Sequence, residues 1–247
     1  MKKGMKCFFI DLDGTILGKD NTIAFDTLKA VNMIKETGNF LFINTGRSYA
    51  ALPDVFYSSL QVDGVICGLG SYILIGKDKV QDQYIDPLLL SKLICWALEE
   101  NIQIKISGEK LILVNRKPYK YKEKEIRNNE DIYLDHYVEV CMCGNMSLKL
   151  EKFLDENFGV NRYLEFYEVT RMDVSKGKAL EFVMNMYFPG YTSIAIGDSM
   201  NDFSMIECAD IGFYIRQNNE VGNRILSADY ICTKCEEAIR IALDIPE

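Results

Sequence analysis

Short, almost continuously apolar runs at residues 6–12, 39–43, 64–67, 192–196, 211–215 and 230–232 frame the two ends of this chain. Strands that are apolar throughout, rather than at every second residue, are strands buried on both faces. Residues 24–37, between the first two runs, have the periodicity of an amphipathic helix, with Thr22 as candidate cap and Gly38 as the stop. Buried strands alternating with helices predict an α/β fold: a parallel sheet sandwiched by helices.

The middle of the chain has a different texture. A helix over 87–100, strands over 102–107 and 110–115, a basic stretch, a strand over 137–143, a helix over 147–157 and a strand over 162–168 follow one another. This order predicts an α+β cap domain at 84–168, inserted into a discontinuous core formed by 1–83 and 169–247. Residues 76–83 and 169–173 are the expected linkers. Because both flanks belong to one sheet, the insertion should sit over one of its ends.

With 247 residues, 48% of them hydrophobic, the chain can bury a core without disulfide or metal staples. Its eight cysteines lie mostly inside apolar runs and read as reduced thiols. The pairs Cys141/Cys143 and Cys232/Cys235 lack the glycine-rich turns of a zinc knuckle, so no zinc site is expected. A net charge of -8 argues against nucleic acid as a partner. The stretch from Arg116 to Arg127 is locally basic, but its glutamates make it a solvated mixed-charge face. No run reaches spanning length and the first apolar run holds too few residues for a leader, so no membrane partner and a cytoplasmic location are expected.

Four polar motifs sit where the core elements end. Asp11 and Asp13 close the first run, and side chains two apart on a strand share a face. Two such carboxylates can bind a divalent cation or divide attack and proton transfer between them, although a lone Asp-x-Asp-Gly run is equally a solvated turn. The second run leads into Thr45, Gly46, Arg47 and Ser48, which offer a hydroxyl and open amides in the outline of a phosphate cradle. A polar turn into a helix has the same composition. Lys176 opens a helix over 178–187 and can reach the same sheet edge, with Lys178 as its competitor. Finally, Asp198, Asn201 and Asp202 follow the run 192–196, offering hard oxygens to Mg²⁺ or caps to the next helix. The joint placement of all four at element ends is what singles them out.

Taken in order, Asp-Leu-Asp-Gly-Thr, Thr-Gly-Arg, Ser-Lys-Gly and Gly-Asp-Ser-Met-Asn-Asp make the chain similar to the haloacid dehalogenase superfamily. Within it, the chain resembles the Cof-like type IIB sugar-phosphatase-like branch, whose cap lies between the second and third motifs. The resemblance implies a Rossmann-like core and a Mg²⁺-dependent phosphatase acting on a small phosphate ester through an aspartyl phosphate. It implies that Asp11 is the nucleophile and Asp13 the proton donor and later the base. Thr45, Gly46 and Lys176 would hold phosphate, with Arg47 and Asn201 nearby. The metal would rest on Asp11, the Asp13 carbonyl, Asp198 and Asp202. Leu69-Gly70-Ser71 departs from the branch's usual Asn-Gly-Ala, and Arg171 and Asp173 stand where Pro and Gly are common. The cap is short for the branch.

A phosphomutase using the same aspartyl phosphate and a non-catalytic phosphate-binding regulator are the rival expectations. A triad hydrolase is disfavoured because His136, the single histidine, falls in the cap and reads as a structural or surface residue. Tyr119, Lys120, Tyr121 and Lys122 are the cap residues singled out for substrate contact.

Overall fold

The computed structural model describes residues 5–216 and 227–246, with the side chain of residue 129 left aside. The first four residues, which bear on the expected lack of a leader, lie outside the described part. The first strands and helices are β1 (Lys6–Ile10), α1 (Phe25–Glu36), β2 (Phe40–Asn44), α2 (Asp54–Ser59), β3 (Gly64–Cys67), β4 (Tyr72–Ile75) and β5 (Asp78–Asp82). After the insertion come α5 (Lys176–Tyr187), β12 (Thr192–Gly197), α6 (Phe203–Cys208), β13 (Ile211–Ile215), β14 (Tyr230–Cys232) and α7 (Cys235–Asp244). These strands form one sheet in the order β14-β13-β12-β1-β2-β3-β4-β5, parallel from β14 to β3 and antiparallel beyond.

Alternation explains why apolar residues fill both faces. Phe8, Ile10, Leu41, Ile43, Ile194 and Ile196 point to the side covered by Ala30, Val31 and Ile34 of α1 and Ala238 and Ile239 of α7. Their neighbours Cys7, Phe9, Phe42 and Ala195 point the other way, against Ala179, Leu180 and Val183 of α5 and Met205 and Ile206 of α6. Each fully buried Phe or Ile contributes about 1.5–3 kcal/mol relative to exposure. The parallel α/β core is as the sequence predicts.

Two local expectations for the core are corrected. The segment 76–83 is not a linker: β5 pairs with β4 as an edge hairpin, and its mostly exposed polar residues gave no apolar signal. Thr22 does not cap α1, whose N-cap is Ala24 without a side-chain bond. Thr22 instead donates its hydroxyl to Asp20.

The insertion contains α3 (Pro87–Glu99), β6 (Gln103–Gly108), β7 (Ile112–Val114), β8 (Glu123–Glu125), β9 (Tyr137–Cys143), α4 (Leu148–Asn157), β10 (Gly159–Arg162) and β11 (Tyr167–Thr170). Its sheet runs β10-β11-β9-β6-β7-β8 and is antiparallel except where β7 meets β8. The strand expected over 162–168 is thus a hairpin of two strands, and β11 continues through Thr170 into the expected linker because Val169 belongs to the insertion's own core. That core packs Ile104, Ile106, Val140 and Met142 of the sheet against Leu90, Leu93 and Ile94 of α3 and Leu150 and Leu154 of α4. Among the described residues, no helix is long and apolar enough to cross a membrane.

Candidate active site

The carboxyl ends of β1, β2 and β12, which adjoin one another in the sheet, bring three of the four motifs to one edge. Asp11 still belongs to the ladder, its N–H donating to the Ile196 carbonyl at 2.9 Å, while Thr45 N–H donates to the Ile66 carbonyl at 2.9 Å. The fourth motif arrives with α5. Ser175 caps that helix by accepting from the Lys178 N–H at 3.1 Å, and Asn44 donates to the Lys176 carbonyl at 3.0 Å.

Lys176 is the residue that reaches the edge. Its ammonium lies 2.6 Å from Asp11 Oδ1 and 2.6 Å from Asp202 Oδ1, with its side chain fully buried. Lys178 is exposed, and its ammonium donates to the Asp173 carbonyl at 3.0 Å. Helix phase separates them, since only one of two residues two apart on a helix can point under the sheet edge.

Asp11, Asp198 and Asp202 offer carboxylate oxygens all within 4.8 Å of one another. Among the described residues this is the group whose ligand atoms suit a metal ion; neither cysteine pair belongs to it. Asp202 Oδ2 accepts from the N–H groups of Asp198 at 3.1 Å and Ser199 at 2.9 Å and from the Ser199 hydroxyl at 3.0 Å. Asp198 Oδ1 accepts from the Thr15 hydroxyl at 2.9 Å. Gly14, with φ of 81°, lets the chain pass this close, because a Cβ there would collide with the Asp198 carboxylate.

The charges do not balance locally: three carboxylates face one ammonium. Burial alone would discharge Lys176, but Asp11 and Asp202 outweigh it and hold the ammonium above its ordinary range. Burial, then Asp202, pushes the Asp11 carboxyl well above the usual carboxylate range against the pull of Lys176. Burial and then Asp202 push Asp198 up to about 7. A divalent cation among these hard oxygens offsets the remaining repulsion, so the donor set fits one.

Above the cluster lies a cavity of about 960 Å³ whose lining includes Asp11, Asp13, Gly46, Arg47, Ser199 and Asn201 from the core. The Asp13 carboxylate is not part of the acidic cluster. It is half-exposed and gripped by Arg47, which donates from Nε at 2.7 Å and from Nη2 at 2.6 Å. The Thr45 hydroxyl, almost fully buried, accepts from the Arg47 N–H at 3.1 Å and fixes the turn that aims the guanidinium. Asn201 is turned toward the cap, donating to the Tyr163 hydroxyl at 3.2 Å and to Glu168 at 3.3 Å. Glu168 also lies against Gly46, where a Cβ would meet its carboxylate.

Residues of the insertion that the sequence did not single out therefore reach the cavity: Lys105, Glu139, Tyr163 and Glu168 line it with Tyr119, Lys120, Tyr121 and Lys122. The available signal was Glu139 inside the otherwise apolar start of β9. Cys141 and Cys143 are half-buried and line the same cavity, so they are not core thiols. The basic stretch is neither wholly solvated nor uniformly free: Arg116 pairs with Glu123 and Lys124 with Asp131, while the loop between faces the cavity. His136 stacks on Tyr84 at 4.2 Å, outside the cavity lining.

The haloacid dehalogenase-like hydrolase family model matches residues 8–239. A 5-amino-6-(5-phospho-D-ribitylamino)uracil phosphatase of Bacillus subtilis is 26% identical, the match covering 88% of this chain and 89% of that one. An HMP-PP phosphatase of Citrobacter koseri is 24% identical over 82% of this chain and 80% of its own. Among solved structures, a haloacid dehalogenase-like hydrolase from Bacteroides thetaiotaomicron superposes with a TM-score of 0.80 at 22% identity, covering 96% of this chain and 99% of its own. The subclass IIB sugar phosphatase BT4131 superposes with a TM-score of 0.81 at 20% identity, covering 98% and 100%.

Proposed function

The chain belongs to the haloacid dehalogenase-like hydrolase family, as a phosphatase, and we propose that it hydrolyses a sugar phosphate or similar small metabolite with Mg²⁺ and an aspartyl-phosphate intermediate. Residues 84–168 serve as its cap in this proposal. The observation that carries the proposal is the buried Lys176 ammonium held between Asp11 and Asp202 with Asp198 beside them, beneath an open cavity. A phosphate dianion repels a carboxylate nucleophile, so a site for this reaction needs cations under the carboxylate that attacks.

Asp11, Asp198, Asp202 and the Asp13 carbonyl would hold Mg²⁺. Bound there, the ion supplies charge that offsets the phosphoryl oxygens. Asp11 attacks phosphorus, forming the acyl-phosphate bond as the ester P–O bond breaks, and Asp13 gives its proton to the departing alkoxide. Water then attacks the same phosphorus, Asp13 takes its proton, and inorganic phosphate leaves with Asp11 restored. Lys176 stays charged throughout, while Thr45 and Gly46 orient phosphate oxygens. While Arg47 grips Asp13, that carboxylate cannot pass on a proton; an incoming phosphate competes for the guanidinium and frees Asp13 to take up, from solvent, the proton that it then gives to the departing alkoxide. Thiols buried in the core, such as Cys7 and Cys67, support a reducing, cytoplasmic setting.

The test is a panel of phosphorylated metabolites with Mg²⁺, run on wild type and Asp11→Asn in parallel. Wild type should release inorganic phosphate and Asp11→Asn should lose at least about three orders of magnitude of turnover. Equal phosphate release by both proteins would remove Asp11 from the chemistry.

A further inference from the structure

The cap sheet has two chemically different faces. Ile104, Ile106, Val140 and Met142 point into the cap's own core, whereas Lys105, Glu139, Cys141 and Glu168 point to the cavity. Strand register sets these side by side: Ser107 lies opposite Glu139, and Lys105 opposite Cys141, which in turn lies opposite Glu168. Two of these polar groups lack full partners. Glu139 is 7% exposed and its Oε2 has no hydrogen-bond partner of good geometry; the fully buried Ser107 hydroxyl opposite is the group that acts on this carboxylate, and it leaves the acceptor only partly satisfied. Lys105 approaches only the other Glu139 oxygen, at 3.8 Å. Glu168, by contrast, is engaged, accepting from Asn161 at 2.9 Å and from Asn201 at 3.3 Å.

A buried carboxylate oxygen without a well-placed donor destabilises a fold, and an apolar side chain at this position would avoid that cost. The arrangement makes sense when the donor arrives with a ligand. Ala50 and Leu52 of the core and Ile112 of the insertion add apolar lining to the same cavity. The cavity therefore offers a leaving group a buried acceptor together with apolar surface.

We propose that Glu139, supported by Ser107 and Lys105, is a specificity-determining residue that receives a hydroxyl or ammonium donor carried by the leaving group of the phosphate ester. The inference rests on the phosphatase reading and adds to it a substrate class: esters whose carbon skeleton carries a donor on one side. Burial, opposed by Lys105 and reinforced by Glu168, raises the Glu139 carboxyl above its ordinary range, as expected for an acid lacking its full set of partners.

The experiment compares kcat/KM for a hexose phosphate, an amino-sugar phosphate and cyclohexylmethyl phosphate, a ring of similar size without donors, in wild type, Glu139→Gln and Ser107→Ala. Wild type should favour a donor-bearing ester over the donor-free one by about tenfold or more, and Glu139→Gln should bring that ratio back toward one. Ser107→Ala, the milder change, should shrink it in the same direction by a smaller factor. A larger effect of Glu139→Gln on the amino-sugar ester identifies an ammonium, and an equal effect identifies a hydroxyl. If Glu139→Gln lowers all three esters by one factor, or wild type shows no preference, the inference fails and the phosphatase reading stands. If wild type cleaves none of the three with Mg²⁺ present, the phosphatase reading fails and takes this inference with it.

Discussion

Arg47 holds Asp13 in a two-pronged grip, Nε to Oδ2 at 2.7 Å and Nη2 to Oδ1 at 2.6 Å, across 34 residues of chain. The same guanidinium donates to Asn21 Oδ1 at 2.7 Å and to the Ala51 carbonyl at 3.1 Å, so four hydrogen bonds to three residues fix it. Its planar fork matches a carboxylate, and equally a phosphate.

Arg47→Lys keeps the charge but not the fork. We expect kcat/KM on the best substrate of the panel to fall by about tenfold, equivalent to about 1.4 kcal/mol. The loss should fall mainly on KM, because in the proposed mechanism Arg47 would meet the phosphate in the ground state as well. Steady-state kinetics check this, and an unchanged KM would show that Arg47 serves Asp13 alone.

Lys176→Met leaves Asp11 and Asp202 buried without their shared cation, and breaking a buried pair in this way costs about 3–5 kcal/mol. The Asp11 carboxyl, already raised by burial and by Asp202, would then be raised further in the folded state. A carboxyl raised on folding favours the fold when protonated, so this variant should regain melting temperature as pH falls from 8 toward 5.5. Mg²⁺ should recover part of the loss at pH 8. Thermal melts with and without the ion decide it; a variant melting like wild type at every pH would mean that Lys176 contributes no charge compensation.

Asp198 gives a pH dependence of its own. Its carboxyl is pushed up to about 7 by burial and by Asp202, above its unfolded value. Protonated Asp198 therefore favours the folded metal-free protein, and this contribution is full below the ordinary carboxylate range and fades as pH rises to about 7. A cation competes with that proton, so Mg²⁺ affinity should weaken by up to about tenfold per pH unit below 7. Titration calorimetry at pH 5.5, 6.5 and 7.5 reads it out, and a constant affinity would contradict the shift.

Gly46→Ala places a methyl group against the Glu168 carboxylate, which Asn161 and Asn201 hold from the other side. We expect lower kcat/KM in the single variant and partial relief in Gly46→Ala/Glu168→Ala. The coupling energy should be about 1 kcal/mol from a double-mutant cycle. Strict additivity would mean that the cap glutamate and the cradle glycine do not interact in the working enzyme.

The sequence by itself determined the core of this protein. Strands buried on both faces must be apolar throughout, so β1, β2, β3, β12, β13 and β14 were legible as runs, and the motifs at their ends were legible as one edge. It also placed Asp11, Asp198 and Asp202 at that edge, with Lys176 or Lys178 as the cation. It was silent on β5, because an exposed edge strand such as Asp78–Asp82 has no side that must be apolar.

Tertiary structure decided the rest. Which of Lys176 and Lys178 enters the site depends on helix phase against a residue 165 positions away. That Asp13 turns to Arg47 while Asp11 and Asp202 share Lys176 depends on distances set by strand order. In the cap, the alternation of β9 was visible, but which of its faces looks at the core was not. A strand pattern says only that residues 139, 141 and 143 share a side; the packing of α3 and α4 on the opposite face is what turns Glu139 toward the cavity.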